Sequence, residues 1–315
     1  MTEAVVIRST GKFYTIRDSK TNEIYNSNIR GKFRTQGLKL TNPIAVGDKV
    51  VYEMQADGVA MITEILPRTN YVVRQSPRKK HYLHLLASNI DQAIVVVTIV
   101  EPNLKQGFID RFLLMTEPYD IPVHIVFNKK DLYGEKELSM YEFLSSIYTK
   151  IGYTTLLTSI ETGDGMDALK ALVNDKVTLI AGQSGVGKSS IINALIPTLD
   201  ITTKYISDYS GKGQHTTTFA EMHDLPDTGQ IIDTPGIKTL SYNHLEVMDV
   251  SHNFREFFVL SDSCKYNNCT HREEPKCAVK QAIEEGSVSE LRYHNYLQII
   301  EDIENQNYWE RIKDY

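Results

Sequence analysis

Gly182-Gln183-Ser184-Gly185-Val186-Gly187-Lys188-Ser189 fits G-x-x-x-x-G-K-[ST], the spacing of a loop that cradles phosphate. Its glycines let successive backbone N–H groups turn toward one anion, and the helix that follows adds the partial positive charge of its N-terminus. In such a loop Lys188 bridges the β- and γ-phosphates and the Ser189 hydroxyl ligates Mg²⁺. Ser190, next along, is counted among the expected nucleotide contacts. The flanks suit this reading: residues 177–181 form an apolar, strand-like run and residues 190–195 read as a helix.

Asn128-Lys129-Lys130-Asp131 fits N-K-x-D, a pattern that selects guanine. Guanine presents two donors on one edge, N1–H and the exocyclic amine, and a single carboxylate, Asp131, accepts both. Asn128 would brace the loop, and the Lys129 stem would lie along the face of the base. Thr158-Ser159-Ile160 ends the next strand-like run, where it could offer the base a backbone N–H. Farther along, Asp233-Thr234-Pro235-Gly236 follows a short apolar strand. Asp233 would hold Mg²⁺ through water and the Gly236 N–H would meet the γ-phosphate. In the polar stretch 211–218 one threonine could complete the Mg²⁺ shell. Thr217 is the choice, with Thr216 and Thr218 as alternatives.

All three cysteines of the chain lie between Cys264 and Cys277. With His271 they form Cys264-x4-Cys269-x-His271-x5-Cys277, a Cys₃His donor set suited to a closed tetrahedral zinc site. Catalytic zinc keeps an open coordination position, so this set reads as one structural Zn²⁺.

These residues need elements to hold them. Residues 4–9, 12–17, 23–30, 48–54 and 59–66 read as short strands separated by Gly, Asn or Asp turns, which suits a small OB-fold barrel. Such barrels bind oligonucleotides on an open face, so RNA contact is plausible; a barrel with no ligand is the alternative. The basic stretch 67–80 reads as a linker. From residue 91 strands alternate with helices: strands at 93–100, 123–127, 155–158, 177–181 and 230–232, helices at 108–117, 137–151 and 166–172. That alternation predicts a doubly wound α/β domain, with ligands at the carboxyl ends of the strands. Helices at 247–260 and 288–303 flank the Cys/His cluster, with Phe254, Phe257 and Phe258 expected in the core.

The chain has 315 residues, 41% hydrophobic and 23% charged, with a net charge of −6, an ordinary globular composition. No stretch approaches the roughly 18 apolar residues of a membrane span. The N-terminus lacks a basic-then-apolar signal pattern, so a cytoplasmic protein is expected. The negative balance argues against indiscriminate nucleic-acid binding. The run of Arg68, Arg74, Arg78, Lys79 and Lys80 nonetheless makes a local basic face possible, with a solvated linker as the alternative.

The motifs belong to a GTPase but stand in an unusual order. An ordinary G domain places its phosphate loop first and N-K-x-D late; here N-K-K-D and T-S-I precede the phosphate loop, and D-T-P-G comes last. This is a circular permutation, which preserves the site if the strands keep their spatial order. With the barrel-like N-terminus, the G-K-G-Q-H-T-T-T stretch and the Cys/His cluster, the chain resembles the RsgA/YjeQ family of circularly permuted, ribosome-associated GTPases. The resemblance implies binding to the 30S subunit and its 16S rRNA, and GTP hydrolysis stimulated by that subunit during its late assembly. An RNA-binding protein with a nucleotide-sensing but poorly hydrolysing G domain is the alternative. Ile237 follows D-T-P-G where many GTPases carry a water-orienting glutamine. The resemblance favours His215 as the group that serves instead, beside Lys188 and Gly236. The expected division is an OB-fold RNA-binding domain at 1–67, the permuted GTPase domain at 68–240 and a helical zinc-binding domain at 241–315, acting as a monomer with GTP/GDP and away from membranes.

Overall fold

The computed structural model describes residues 2–10, 13–29, 40–75, 82–199, 201, 220–234 and 245–313, without the side chains of residue 75 and residues 306–313. His215, Thr216, Thr217, Thr218, Gly236 and Ile237 lie outside the described residues, as do Arg78, Lys79 and Lys80.

The first strands are β1 (Thr2–Ser9), β2 (Tyr14–Asp18), β3 (Ile24–Ile29), β4 (Lys49–Met54) and β5 (Ala60–Ile65). They pair in the order β1-β2-β3-β5-β4, and a further β1–β4 pairing closes the barrel. The β3–β5 pair is parallel and the others antiparallel, the connectivity of an OB-fold. Alternate residues such as Ala4, Val6, Tyr14, Ile16, Val50 and Ile62 point inward to form its core.

Strands β6 (Tyr71–Gln75) and β7 (Leu83–Ser88) pair antiparallel, so part of the stretch read as a linker, residues 71–75, is sheet. Its basic residues are partly spoken for. Arg68 donates from Nε and Nη2 to Asp48, at 2.6 and 2.7 Å, where that carboxylate is fully buried under the barrel. Composition hid the pair, because a charge with a buried partner reads like a solvated one.

The central sheet runs β10 (Thr154–Leu157), β9 (Val123–Phe127), β8 (Gln92–Val97), β11 (Val177–Gly182), β13 (Gln230–Asp233), β12 (Ala220–Asp224). The first five are mutually parallel and β12 is antiparallel to β13. Strand β8 is buried along its whole length, as its β-branched run requires when both faces are covered. Val95 and Val97 face one apolar layer with α1 (Phe108–Leu113) and α2 (Glu135–Lys150). Ile94 and Val96 face the opposite layer with α3 (Met166–Val173) and α4 (Lys188–Leu195). Strand β12, which the sequence reading did not foresee, also pairs with β1 of the barrel, so barrel and G-domain strands form one continuous sheet.

The C-terminal part holds α5 (Val247–His252), α6 (Arg255–Ser261), α7 (Ala278–Glu284) and α8 (Glu290–Lys313). The single helix expected at 247–260 is broken at Asn253-Phe254, where Phe254 takes an extended backbone and turns its ring inward. That break rotates the next turn, so Phe257 is buried while Phe258 is 56% exposed. Helix α8 runs on past the expected end at 303, and its Tyr296 and Ile300 enter the same apolar layer as α1 and α2.

Candidate nucleotide site and metal centre

Every described motif residue of the nucleotide set lies at the carboxyl end of a parallel strand. Strand β9 leads into Asn128, β10 into Thr158, β11 into the phosphate loop, and β13 ends at Asp233. Rearranging the chain has not rearranged the sheet: across the parallel strands the loops still follow in the sequence T-S-I, N-K-K-D, phosphate loop, Asp233.

Asn128 joins the two halves of the pocket. Its buried amide donates from Nδ2 to the Val186 carbonyl of the phosphate loop at 2.9 Å, and its Oδ1 accepts from the Thr158 hydroxyl at 3.0 Å. The approach is close: a Cβ on Gly187 would stand 2.4 Å from Asn128 Nδ2. Gly187 also takes a left-handed backbone, φ 93°, as it opens α4, so both contact and conformation demand glycine there. A Cβ on Gly182 would meet the Val96 carbonyl at 2.3 Å, which seats the loop directly against β8.

Lys188 is 8% exposed and donates from Nζ to the carbonyls of Gly182 and Gln183, at 3.1 and 2.7 Å. Burial lowers its pKa to about 8 from the ordinary 10.5, against the opposing pull of the Asp233 carboxylate. Lys188 and Asp233 therefore share one electrostatic neighbourhood. Ser184 is exposed at the mouth of the loop, Gln183 and Val186 are buried, and Gly185, Ser189 and Ser190 are half-buried. Thr234 is buried and donates from its hydroxyl to the Ile180 carbonyl at 3.0 Å.

On the base side, the Ser159 hydroxyl donates to Asp131 Oδ1, fixing one edge of that carboxylate. The sequence reading expected a backbone N–H from Thr158-Ser159-Ile160; the Ser159 side chain adds a contact to the base loop that it did not foresee. Ile160 is half-buried beside the apolar layer of α3 and α4. The Lys130 N–H donates to the Thr158 carbonyl at 3.0 Å, and its ammonium pairs with Asp164 at 3.1 Å. That pair is exposed on both sides and contributes little, about 0–1 kcal/mol. Lys129 sits in a left-handed backbone, φ 67°, and its Nζ donates to the Glu101 carbonyl. Asp164 and the Glu101 carbonyl were missed from sequence. Only the Gly163-Asp164-Gly165 turn after β10 hinted at the first.

The second centre gathers Cys264, Cys269, His271 and Cys277, whose ligand atoms all lie within 4.8 Å of one another. His271 Nδ1 is 3.4 Å from Cys277 Sγ and 3.7 Å from Cys264 Sγ. Ligands about 2.3 Å from a tetrahedral ion stand roughly 3.5–4 Å apart, so this spacing fits one. Burial, with the thiols of Cys277 and Cys264 close by, pushes the Cys269 thiol up to about 12. A divalent cation reverses that preference, because coordination deprotonates a thiol. The knuckle is held from outside. Glu274 accepts from the Thr270 hydroxyl and from the N–H groups of Thr270 and Arg272, at 2.6, 2.6 and 2.8 Å. Although burial alone would raise the Glu274 pKa, those bonds hold it at about 2. Tyr293 and Tyr296 of α8 donate to the carbonyls of His271 and Thr270, at 2.8 and 2.7 Å.

A buried ionic cluster fastens this part to the G domain. Arg292 of α8 donates to Asp110 of α1 at 2.6 Å, and through Nε and Nη2 to Glu256 of α6 at 2.7 and 2.8 Å. Tyr148 and Asn295 also donate to Asp110, at 2.9 and 2.5 Å. Burial alone would lower the Arg292 pKa, but the two carboxylates hold it well above its ordinary value.

An OB barrel, a circularly permuted G domain and a buried Cys₃His group with its helices together define a multidomain P-loop GTPase. Known proteins place it further. Residues 65–243 match the family described as RsgA GTPase, and residues 3–62 match the RsgA N-terminal domain. The small ribosomal subunit biogenesis GTPase RsgA of Bacteroides fragilis is 46% identical over 306 residues, covering 97% of this chain and 98% of that protein. The protein of the same name in Flavobacterium psychrophilum is 47% identical over 300 residues, covering 94% and 92%. Among solved structures, YjeQ from Thermotoga maritima superposes with a TM-score of 0.75 at 34% identity, covering 96% of this chain and 98% of that one. YloQ, described as a circularly permuted GTPase, gives 0.71 at 30% identity, covering 97% and 96%. The chain belongs to the RsgA family of circularly permuted GTPases.

Proposed function

We propose that this protein binds the 30S subunit and hydrolyses GTP in a subunit-stimulated way during late small-subunit assembly. The observation that carries the nucleotide reading is the Asn128–Val186 bond, which brings the base-selecting loop and the phosphate loop to one pocket. The relatives' names carry the ribosomal part of the reading.

Asp131 accepts the guanine N1–H and amine, Asn128 braces the loop, and Lys129, Lys130, Thr158, Ser159 and Ile160 complete the base subsite. The 182–190 loop wraps the phosphates, with Lys188 on the β- and γ-oxygens. Ser189, Asp233 through water, and one switch threonine, Thr217 with Thr216 and Thr218 as alternatives, would hold the Mg²⁺ that accompanies GTP. The catalytic roles are divided between fixed and supplied groups. Lys188 and the Gly236 N–H stabilise charge on the γ-phosphate, and His215 orients the attacking water where Ile237 cannot. A supplied group of this kind is worth on the order of 10³–10⁵ in rate in GTPases. Cys264, Cys269, His271 and Cys277 would hold one structural Zn²⁺, which would fasten the C-terminal knuckle.

In this reading residues 1–67 and 241–315 touch 16S rRNA on either side of a GTPase domain at 68–240, in a cytoplasmic monomer. No helix among the described residues is long and apolar enough to cross a membrane. The test is phosphate release from GTP with purified 30S, 50S and 70S particles. Stimulation by 30S alone, abolished in His215→Ala, is expected. Equal turnover with and without 30S would overturn the ribosomal part, and full stimulation in His215→Ala would overturn the role of that residue.

A further inference from the structure

Tyr133 stands two residues beyond Asp131, outside the N-K-K-D motif, with its side chain buried. Its hydroxyl is used twice. It donates to the Asn128 carbonyl at 2.8 Å and accepts from the Ile99 N–H at 2.9 Å. One proton and two lone pairs make that pair of bonds possible. Burial raises the phenol to about 12, so it keeps this proton at any working pH.

The contacts converge on the residue that matters most. Asn128 carries the bond to the phosphate loop, and its own backbone is held from beneath by Tyr133. The same floor receives the neighbouring residue: Lys129 Nζ reaches the Glu101 carbonyl, two residues past Ile99. Lys129 itself is left-handed, a conformation that costs free energy and persists only where surrounding contacts fix it. Segment 98–101, after β8, therefore underlies the base loop at two points.

We propose that Tyr133 is a positioning residue of the guanine subsite, its hydroxyl pinning the base loop to the segment after β8. The proposal rests on the GTP-binding reading above. Without the hydroxyl, the buried Asn128 carbonyl and the part-buried Ile99 N–H lose their partner, and the left-handed turn loses one of its two anchors. The loop then samples conformations in which Asp131 no longer meets both guanine donors. No residue of the phosphate loop is altered, and Lys188 keeps its own bonds to the Gly182 and Gln183 carbonyls.

The experiment compares wild type with Tyr133→Phe, which removes one oxygen from a ring that stays packed. Affinities for GTP, GDP, ATP and inosine triphosphate are measured by calorimetry with the binding stoichiometry fitted, so each value refers to folded protein. Tyr133→Phe is expected to bind GTP and GDP more weakly by the same factor, roughly tenfold for a lost buried hydrogen bond. Its preference for GTP over inosine triphosphate, which lacks the exocyclic amine, should shrink. In turnover KM rises and kcat at saturating GTP stays put, a split that general destabilisation does not produce. Amide hydrogen exchange in 98–101 should quicken in the variant, a readout independent of nucleotide. Unchanged GTP and GDP affinity in Tyr133→Phe, or a loss in kcat alone, overturns the proposal. A wild-type protein that fails to prefer GTP over ATP overturns instead the reading on which it rests.

Discussion

Replacing Arg292 with methionine tests how the C-terminal helices are held on the G domain. Arg292 is the largest fully buried side chain among the described residues, and its partner Asp110 is wholly buried. The cluster holds one cation between two carboxylates, those of Asp110 and Glu256. Methionine fills much of the volume but leaves both carboxylates facing each other out of water. Removing one partner of such a cluster costs about 3–5 kcal/mol, because the stranded charge keeps its desolvation penalty. Against a total stability of about 5–15 kcal/mol, that is a severe loss. The same pair of helices provides a control. Arg111 of α1 meets Asp302 of α8 at 2.7 Å, but Asp302 is 54% exposed, so Arg111→Met should cost no more than about 1 kcal/mol. Urea denaturation followed by far-ultraviolet circular dichroism, with limited proteolysis of the C-terminal helices, measures both. Neutralising all three residues together, as Arg292→Met, Asp110→Asn and Glu256→Gln, should recover much of the loss. The difference between Arg292→Met and wild type should also be nearly independent of salt, since buried pairs are poorly screened. If Arg292→Met were no more harmful than Arg111→Met, the reasoning from burial would be refuted.

Nucleotide affinity should fall as pH rises through about 8, where the free protein's Lys188 loses its proton. Bound phosphates favour the ammonium, so binding takes up a proton above that pH, and affinity drops by up to about tenfold per pH unit. Calorimetry from neutral to alkaline pH in buffers of different ionisation enthalpy checks both the slope and the proton uptake. Asp131→Asn should weaken GTP by roughly tenfold or more and shift preference to xanthosine triphosphate, whose base offers an acceptor where guanine has a donor; competition binding reads the exchange. Stripping the metal with a chelator, or replacing Cys277 with serine, should remove one equivalent of zinc by elemental analysis and expose 262–277 to protease, while GTP binding by the folded G domain persists.

Much of this molecule was legible in its sequence because the relevant signals are local. The barrel strands follow from alternation between turns, and the nucleotide residues from motifs whose chemistry needs fixed short spacings. The Cys₃His set is equally compact. What escaped depends on partners far along the chain. Asp110 and Arg292 are 182 residues apart, and neither a charged helix position nor its neighbours announces burial. Arg68 looked like part of a solvated run until the barrel brought Asp48 beneath it. Strand β12 has little apolar pattern of its own and exists because β13 and β1 flank it. The break before α6 was hidden because three phenylalanines at 254, 257 and 258 satisfy a continuous helical period, although the fold turns Phe258 outward.

The pairing of β12 with β1 makes the barrel the terminus of the G-domain sheet as well as a module in its own right. The junction is reinforced by a two-pronged bond from Arg17 of β2 to Asp224 of β12, at 2.8 and 2.7 Å. A fragment lacking the first five strands would uncover β12 at Ala220 and Glu221, the two residues β1 pairs with, and leave the whole edge open to another copy of itself. Truncation therefore trades a closed surface for a sticky margin. Preparations of the isolated GTPase portion should self-associate unless that margin is masked by charge or proline.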